Sequence, residues 1–359
     1  MKQRIIGFDL ARTYAIFGMY IVNFNVVFGN TKDPSLLGQF LSLFSGNSST
    51  VFVMLSGMGL ALMSSRVHEY TPQDRLRLRN TVLKRAGFLF VLGLLLSLWW
   101  SADILHFYGG YMCIAAFLLF VNKNYHLLVA FVSILVFHLL TLVIPFDTGW
   151  HFETLFYKDF WTVQGFFRNM FYNGWNPIFP WLAYFMIGLY LGRLDWTNKA
   201  IQFKIFATGF VLFATTTLIQ VFSSQFTADK DLLFFLNADY LPPFLPFILS
   251  TMGFDLMLIT AFMYFGFYIA ENKFAQDLAK TGQMTLTHYI SHIVLGMILF
   301  SYIIELVGLG KAESKVTVSP IYIFAFACAY FVASYYLSKF WLKRYKNGIF
   351  EMLMRKISG

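Results

Sequence analysis

The segment WWSADILHFYGGY places a carboxylate and an imidazole where they could act together, because Asp103 precedes His106 by three residues. A carboxylate can hold an imidazole in one tautomer and raise its basicity, which a general base needs. The pair follows Trp99 and Trp100, and such an aromatic belt is typical of a membrane–water interface, where a polar pair without a catalytic role is also at home. Asp103 and His106 are therefore candidates for acid–base catalysis, with a structural ion pair as the alternative.

Two further histidines lie in TGQMTLTHYISHIVLG. One face of the predicted helix carries, at intervals of four, three and four residues, Thr281, Thr285, His288 and His292. Histidines four residues apart can bind a metal, but no carboxylate or third ligand lies near them in the sequence, so we predict no metal site. His288 and His292 are predicted to line a hydrated cavity or a catalytic site. Hydrogen bonding to a neighbouring helix is the alternative.

The run FDLARTYAIFGMYIVNFN carries a polar stripe. At about 100° per residue, one side of a helix presents Asp9, Arg12, Tyr20 and Asn23. Asp9 and Arg12 can pair across one turn, either to orient the helix or as part of a site. Asp255 lies deep in another apolar run and needs a partner, for which Arg12 or a histidine is expected. The extension of the stripe to Asn23 favours a functional surface.

These polar groups stand in a chain that only a lipid bilayer can solvate. Of its 359 residues, 58% are hydrophobic and 13% are charged, whereas a soluble domain has about a quarter of its residues charged. A spanning helix needs about 20 mostly apolar residues. Such runs lie at 5–28, 47–65, 86–104, 107–122, 125–145, 177–194, 203–222, 244–270, 282–305 and 319–341. The sequence therefore predicts an all-α polytopic transmembrane helical bundle of about ten spans, which forms a single domain over residues 1–359.

The basic residues predict the orientation of these spans. With the N-terminus inside, 20 of the 27 Lys and Arg residues fall in inside segments and 6 in outside segments. Basic residues favour the cytoplasmic side, so both termini are predicted to be cytoplasmic. The net charge of +9 is concentrated beside apolar spans, which favours membrane lipid and not nucleic acid as its partner. Cys113 and Cys328 lie in apolar stretches and form no disulfide framework or metal motif.

The segment 146–176 separates two predicted spans on the outer side. It is rich in aromatic residues but too polar to cross a bilayer. We therefore predict that it lies along the interface as amphipathic helix and loop.

The opening segment combines an Asp, an Arg three residues later and a Val-Asn pair, namely Asp9, Arg12, Val22 and Asn23. FVMLSGMGLALM, SADILHFYGG, NPIFPWLAYFMIGLYLGR and TGQMTLTHYISH follow in order. Together these segments resemble the YeiB-like bacterial membrane proteins, within the transmembrane acyltransferase superfamily that includes heparan-α-glucosaminide N-acetyltransferase. The resemblance extends from end to end of the chain. It implies transfer of an acyl group from a cytoplasmic coenzyme A thioester to an acceptor across or within the membrane.

The chain departs from these relatives at positions that bear on catalysis. In the N-acetyltransferase branch a histidine follows the Asn of the first span, but residues 24–50 here contain none. The YeiB-like pattern has an Arg and a Gln where this chain has Gln283 and His292. The catalytic base must therefore be another residue. The candidates for the catalytic site are His288, His292, His106, Asp103 and Asn23.

The resemblance implies an integral membrane acyltransferase that uses acetyl-CoA or another acyl-CoA as donor. Basic residues, chiefly of the predicted 66–85 loop, would meet its phosphates. The cofactor-binding candidates are Arg12, Arg75, Arg77, Arg79, Lys84 and Arg85. A histidine would deprotonate a hydroxyl or amine acceptor on a glycan, lipid or small molecule, and Asn23 would polarise the thioester carbonyl or orient the acceptor.

Two other functions remain open at this stage. The polar stripe could line the path of a transporter for an amphipathic or lipid-linked compound, and a non-catalytic assembly partner would also fit the sequence. The chain has no nucleophile elbow, Walker loop, Rossmann fingerprint or HExxH motif. We expect the protein in the bacterial inner (cytoplasmic) membrane, and the sequence leaves open whether it forms a homo-oligomer.

Overall fold

The computed structural model describes residues 5–65, 70–237, 239–308 and 317–359. Its α-helices are α1 Ile6–Phe28, α2 Leu36–Ser42, α3 Asn47–Met63, α4 Pro72–Ser97, α5 Leu105–Leu118, α6 Lys123–Thr141, α7 Val163–Arg168, α8 Ile178–Leu191, α9 Lys199–Phe226, α10 Lys230–Leu236, α11 Leu245–Tyr268, α12 Lys273–Gln283, α13 Thr285–Ser291, α14 Met297–Leu306, α15 Pro320–Arg344 and α16 Ile349–Ser358. Short π-helical stretches follow α7 at Asn169–Asn173 and α13 at His292–Gly296. The predicted all-α class is confirmed.

Seven helices within the described ranges are long and apolar enough to cross a bilayer. They are α2 with α3, α4, α6, α9, α11, α13 with α14, and α15. The shorter apolar helices α5 and α8 also coincide with predicted spans, as does α1. Each of the ten predicted spans therefore has a helix, while the number of helices that cross the membrane stays a prediction.

The outward face of α9 shows what surrounds these helices. Its side chains Phe203, Phe210 and Val221 are 71%, 55% and 65% exposed. Apolar surface of this extent is costly in water and is solvated by lipid acyl chains. Multiple apolar helices of this kind make the chain an integral membrane protein.

The third predicted span is displaced along the sequence. The prediction placed it at 86–104, whereas α4 covers Pro72–Ser97. Thr71 caps the helix through a capping box with Asp74, and Pro72 occupies its first turn. The helix therefore starts well before the apolar run that defined the prediction. The basic residues of the predicted 66–85 loop lie on helix from residue 72 onward.

The segment 146–176, predicted to lie on the outer side, contains α7 and also a two-stranded hairpin. Strand β1 is Trp150–His151 and strand β2 is Phe156–Tyr157, and they pair antiparallel with Trp150 opposite Tyr157. Strands of two residues leave no alternating pattern long enough to be read from sequence.

The chain divides into two compact units. The first unit comprises Met1–Phe52 and Asp255–Leu353, and the second comprises Val53–Phe254 and Met354–Gly359. Helices α3, α11 and α16 contribute residues to both. The prediction of a single domain stays a prediction.

In the first unit, α1 packs against α12 and α15. The side chains of Ala11, Ala15 and Ile16 are fully buried. Gly282 allows α12 to approach α1 closely, because a Cβ at this position would collide with the backbone carbonyl of Asp9. Close packing of small residues is a usual way for helices to associate in membranes.

In the second unit, α4 packs along α5 and α6 packs along α8. The hydroxyl groups of Tyr184 on α8 and Thr251 on α11 lie 2.6 Å apart and are buried. This packing fixes the helices that carry the Asp103–His106 pair and the basic residues of α4.

Candidate functional site

Asp103 lies just before α5 and His106 lies in its first turn, and both are buried, at 0% and 1% exposure. Asp103 Oδ2 is 3.1 Å from His106 Nδ1 and accepts hydrogen bonds from the backbone N–H groups of Leu105 at 2.8 Å and of His106 at 3.2 Å. An ionised carboxylate only accepts, so the proton of a neutral His106 ring lies on Nδ1. Nε2 is buried and has no hydrogen-bond partner among the described residues. The pair thus holds a basic nitrogen that no described protein group occupies.

The surroundings of this pair are tightly packed and apolar. Gly93 brings α4 against it, because a Cβ at Gly93 would collide with the backbone of His106 and lie 2.6 Å from Asp103 Oδ2. The His106 ring packs on Phe107, with centroids 3.9 Å apart, and Phe160 approaches it at 5.8 Å. Aromatic walls exclude water, which strengthens electrostatic interactions at the imidazole.

The segment that carries Phe160 is held by its own polar network. Arg168 donates to both carboxylate oxygens of Asp159 at 2.7 Å. Burial raises the pKa of Tyr157 to about 12, so its hydroxyl stays protonated and donates to Asn173 Oδ1 at 2.6 Å. Arg168 Nε donates to the same hydroxyl at 2.9 Å. These hydrogen bonds therefore hold the segment that places Phe160 beside His106.

Two predicted phosphate-binding residues face aromatic rings of α5 and its C-terminal end. The guanidinium of Arg75 lies 5.6 Å from the ring centre of Phe120, and that of Arg79 lies 5.7 Å from Phe117. Arg79 Nε is buried and has no hydrogen-bond partner within the described part of the chain. A buried guanidinium nitrogen without a partner is costly, and an anion would satisfy it.

The other predicted phosphate-binding residues of α4 divide into two kinds. Arg77 and Lys84 are exposed and could meet an anion. Arg85 Nε donates to Ser358 Oγ at 3.2 Å, and its Nη1 lies 3.1 Å from Met63 Sδ. The contacts of Arg85 favour a structural role.

His292 and Asn23 contact each other in the first unit. Asn23 Nδ2 lies 2.8 Å from His292 Nε2, and His292 Nδ1 lies 3.2 Å from the carbonyl of His288. Because a carbonyl only accepts, Nδ1 carries the proton and Nε2 accepts from Asn23. His288 Nε2 lies 2.6 Å from Ser338 Oγ. Each of these histidines therefore has at least one ring nitrogen bound by a neighbouring helix.

A polar stripe on α15 was missed in the sequence. Tyr330, Ser334 and Ser338 are spaced by four residues. Tyr20 OH lies 3.0 Å from Ser334 Oγ, and Ser291 Oγ lies 2.6 Å from Tyr330 OH. The interval of four within AYFVASYYLSKFW was the available signal, because such residues share a helix face.

Glu351 of α16 fixes the start of the helix that bears His288. Its carboxylate accepts from the backbone N–H groups of Leu286 at 2.8 Å and Thr287 at 3.2 Å, and from the Thr287 hydroxyl. Helix N-termini favour a carboxylate at this place. The sequence could not predict this cap, because Glu351 lies 64 residues from Thr287.

Asp9 and Arg12 are both in the first unit. Asp9 is buried and accepts a hydrogen bond from Gln283 Nε2 at 3.3 Å. Arg12 is half-buried, and its guanidinium lies 4.4 Å from the ring centre of Phe8. The pairing of Asp9 with Arg12 stays a prediction.

The buried carboxylate of Asp255 has a hydroxyl partner. Thr50 Oγ1 donates to Asp255 Oδ1 at 3.1 Å. Asp255 Oδ2 has no hydrogen-bond partner in the described ranges. The expectation of Arg12 or a histidine as its partner is wrong, because the chain brings α3 alongside and supplies a hydroxyl there.

The predicted site residues thus fall into two groups. Asn23, Arg12, His288 and His292 belong to the first unit, while Asp103, His106 and the basic residues of α4 belong to the second. Among the described residues, no three His, Cys, Asp or Glu side chains come together as metal ligands.

Two family models match the chain. The model described as heparan-alpha-glucosaminide N-acetyltransferase, catalytic, matches residues 4–236. The model described as protein of unknown function (DUF418), the YeiB-like group, matches residues 190–359. No curated protein and no solved structure is a significant match. The first match includes Asp103, His106 and all five basic residues of α4 that were predicted to bind the donor.

The family matches confirm the resemblance of the sequence in both halves of the chain. The first extends over more than half of its length, and an acetyltransferase domain of this kind has an acyl donor and an acceptor as substrates. The chain therefore belongs to the family of the heparan-α-glucosaminide N-acetyltransferase catalytic domain, and its second half is similar to the YeiB-like group.

Proposed function

We propose that this chain transfers an acyl group, acetyl in the first instance, from cytoplasmic acyl-coenzyme A to a hydroxyl or amine acceptor at or across the membrane. The observation that carries this proposal is the buried Asp103–His106 pair, whose Nε2 has no partner among the described residues. A general base needs a free lone pair and a group that orients the ring. His106 has both.

The choice of His106 as base follows from the contacts of the other candidates. His292 Nε2 accepts from Asn23, and its Nδ1 faces a backbone carbonyl. His288 Nε2 contacts Ser338. In their present contacts these residues serve the packing of α1, α13 and α15, so we assign Asn23, His288 and His292 a supporting and not a catalytic role.

The reaction can be written with this chain's own residues. His106 Nε2 takes the proton of the acceptor hydroxyl or amine as its oxygen or nitrogen attacks the thioester carbonyl carbon. The new C–O or C–N bond forms, the C–S bond breaks, and the coenzyme A sulfur leaves with the electron pair. The proton passes from His106 to that sulfur. Asp103 keeps the ring oriented and stabilises the imidazolium between these steps.

Helix α4 supports the placement of the donor. Its basic first half carries Arg75, Arg77, Arg79 and Lys84, and Gly93 touches the Asp103–His106 turn. Fourteen residues separate Arg79 from Gly93, or about 21 Å of helix. Coenzyme A likewise carries its phosphates and its thioester at opposite ends of an extended arm. Arg79 Nε, buried without a described partner, suits a phosphate oxygen.

The predicted orientation agrees with this arrangement. With ten spans and both termini in the cytoplasm, the basic end of α4 faces the cytoplasm, where coenzyme A is found, and His106 lies near the outer surface. We place the protein in the bacterial inner membrane.

The first experiment measures transfer and donor binding separately. Purified protein in proteoliposomes receives acetyl-CoA with a labelled acetyl group, and glucosamine serves as the amine probe because the family name contains a glucosaminide. A lipid extract supplies hydroxyl acceptors. Release of the coenzyme A thiol together with label in an acceptor supports the proposal. Thiol release without label shows hydrolysis only, and uptake of an acceptor without chemistry would favour a transporter.

Donor binding is tested by thermal shift with coenzyme A and acetyl-CoA. The variant Arg75→Ala/Arg77→Ala/Arg79→Ala should lose the stabilisation, whereas Lys199→Ala/Lys204→Ala/Lys273→Ala, which removes the same number of positive charges elsewhere, should keep it. A folded wild-type protein without any shift up to millimolar ligand would overturn the assignment of the donor.

A further inference from the structure

A second basic surface lies in the first unit, between α12 and the C-terminal end of α15. It forms a cavity of about 460 Å³, lined by Gln276, Lys280, Gln283, Lys343, Arg344 and Lys346. Its volume is within the usual range for small-molecule sites. None of its lining residues in the described part of the chain is acidic.

The charge of this basic cavity is only partly offset by the protein. Asp277 pairs with Lys280 at 2.6 Å and with Lys339 at 2.8 Å, so the positive charge of Lys280 has a carboxylate partner. No carboxylate among the described residues pairs with Lys343, Arg344 or Lys346. Three cations around one opening repel each other, and an anion with several negative oxygens would relieve that repulsion.

The backbone that carries these cations is well fixed. Trp341 Nε1 donates to the carbonyl of Asn347 at 2.9 Å, and the Trp341 ring stacks on Tyr345 with centroids 4.3 Å apart. Tyr345 N–H donates to the Trp341 carbonyl at 3.0 Å. The turn that presents Lys346 beside the end of α15 is therefore ordered before any ligand arrives, which lowers the entropic cost of binding.

The opposite wall supplies neutral donors. The side chain of Gln283 is anchored by its hydrogen bond to Asp9, and Gln276 donates to the Ala270 carbonyl at 2.8 Å. Tyr345, which is 46% exposed, lines the cavity, and the ring centre of Phe340, which is 58% exposed, lies 5.1 Å from Lys343 Nζ. An apolar rim beside a basic opening at the end of a spanning helix is typical of the depth of lipid head groups.

We propose that the basic cavity binds a phosphate group that carries two or more negative charges or two neighbouring phosphates. This chemistry is shared by the head groups of anionic membrane lipids that carry two phosphates, such as cardiolipin, and by soluble diphosphates such as coenzyme A. The proposal does not depend on acyl transfer, since a protein without transferase activity could still bind phosphate here, and the donor residues of α4 belong to the other unit.

The test compares two triple variants of the full-length protein. Lys343→Gln/Arg344→Gln/Lys346→Gln removes the three unpaired cations. Lys199→Gln/Lys204→Gln/Lys273→Gln removes three exposed lysines outside the cavity and serves as the matched control. In detergent, sodium pyrophosphate and coenzyme A are titrated separately by calorimetry. In nanodiscs, retention of cardiolipin, which carries two phosphates, against phosphatidylcholine is measured by native mass spectrometry.

We expect the cavity variant to bind its anion about tenfold or more weakly, as loss of charge-assisted hydrogen bonds predicts, and the control to stay within about twofold of the wild type. Loss of pyrophosphate and coenzyme A binding identifies a soluble ligand, and loss of cardiolipin binding alone identifies a lipid. Coenzyme A binding that is lost in the α4 variant but kept in the cavity variant separates this site from the donor site.

Absence of wild-type binding for all three probes would overturn the proposal, as would an equal loss in both triple variants. Should the triple variant be unstable, Lys346→Gln, which lies beyond α15, replaces it. Wild-type binding of the anion must also weaken as ionic strength rises. Binding that is indifferent to salt would contradict a site built from three cations.

Discussion

The two histidine-bearing regions of this protein differ in how much of the imidazole the protein itself uses. In the second unit, Asp103 holds one nitrogen of His106, and the other is buried without a described partner. In the first unit, both nitrogens of His292 are engaged, by Asn23 and by the His288 carbonyl. One region keeps a nitrogen available for chemistry. The other uses its nitrogens to join helices.

This contrast explains why burial alone does not identify a catalytic histidine. His106, His288 and His292 are all buried to 1% exposure or less. Buried polar groups are usually satisfied, because an unsatisfied one costs stability. An orphaned nitrogen that is also oriented by a carboxylate is therefore a stronger sign of function than a satisfied one. Four predictions test the comparison.

The largest expected effect is that of His106→Gln on transfer. Removal of a general base lowers kcat by about 10² to 10⁴-fold. The measurement is initial rate of labelled acetyl transfer, at equal amounts of folded protein. His138→Gln, at a histidine of α6 whose ring contacts the backbone of Ile134 and Leu245, is the matched control and should retain activity. Full activity in the His106 variant would show that another residue is the general base.

A smaller loss is expected for Asp103→Asn, which keeps the shape of the side chain and removes its charge. The imidazole remains but its tautomer and its protonated form are less well supported, so we expect a fall in kcat of about 10²-fold. The KM for acetyl-CoA should stay nearly constant, because Asp103 acts through His106. A proportional rise in KM, or a loss explained by unfolding, would argue for a structural role.

In the first unit, Asn23→Ala and His292→Ala should lower stability and leave the kcat of the folded protein unchanged. Each leaves a polar partner unsatisfied, which costs about 1–3 kcal/mol. Thermal unfolding in detergent measures the loss. The double variant should lose less free energy of unfolding than the two single variants lose together, because Asn23 and His292 share one contact. A fall in kcat of more than tenfold in a variant that unfolds at the same temperature as the wild type would instead give these residues a catalytic role.

The smallest effect concerns Asp277, whose hydrogen bonds with Lys280 and Lys339 lower the pKa of its carboxyl. A carboxyl with a lowered folded-state pKa contributes stability above its unfolded value, near pH 4, and loses it as pH falls through the folded value. Asp277→Asn should therefore unfold slightly earlier than the wild type at pH 7, and the two should converge only when the pH has fallen below the lowered folded-state pKa of Asp277. High salt should reduce the difference at pH 7. A gap that persists in acid would contradict the ion-pair origin.

Several features could be predicted from the sequence because they depend on local composition and short-range spacing. Long apolar runs in a chain with 13% charged residues have no stable form outside a bilayer, so the helical class followed directly. Asp103 and His106 are only three residues apart, and their contact follows from local geometry. The capping box at Thr71 and Asp74 is also a local signal, but the prediction of 86–104 did not use it and so missed the start of α4.

Other features depend on which helices become neighbours. Nothing in the local sequence pairs Asn23 with His292, Thr50 with Asp255, or Glu351 with the start of α13, since these partners lie far apart along the chain. Nor does the local sequence predict that His106 Nε2 has no hydrogen-bond partner among the described residues. That depends on the packing of Phe160 and on the close approach of α4 at Gly93. Sequence alone determined which groups are available and which environment must solvate them. Only the tertiary structure decided which of those groups have hydrogen-bond partners, because the partners of a buried polar atom are its neighbours in space.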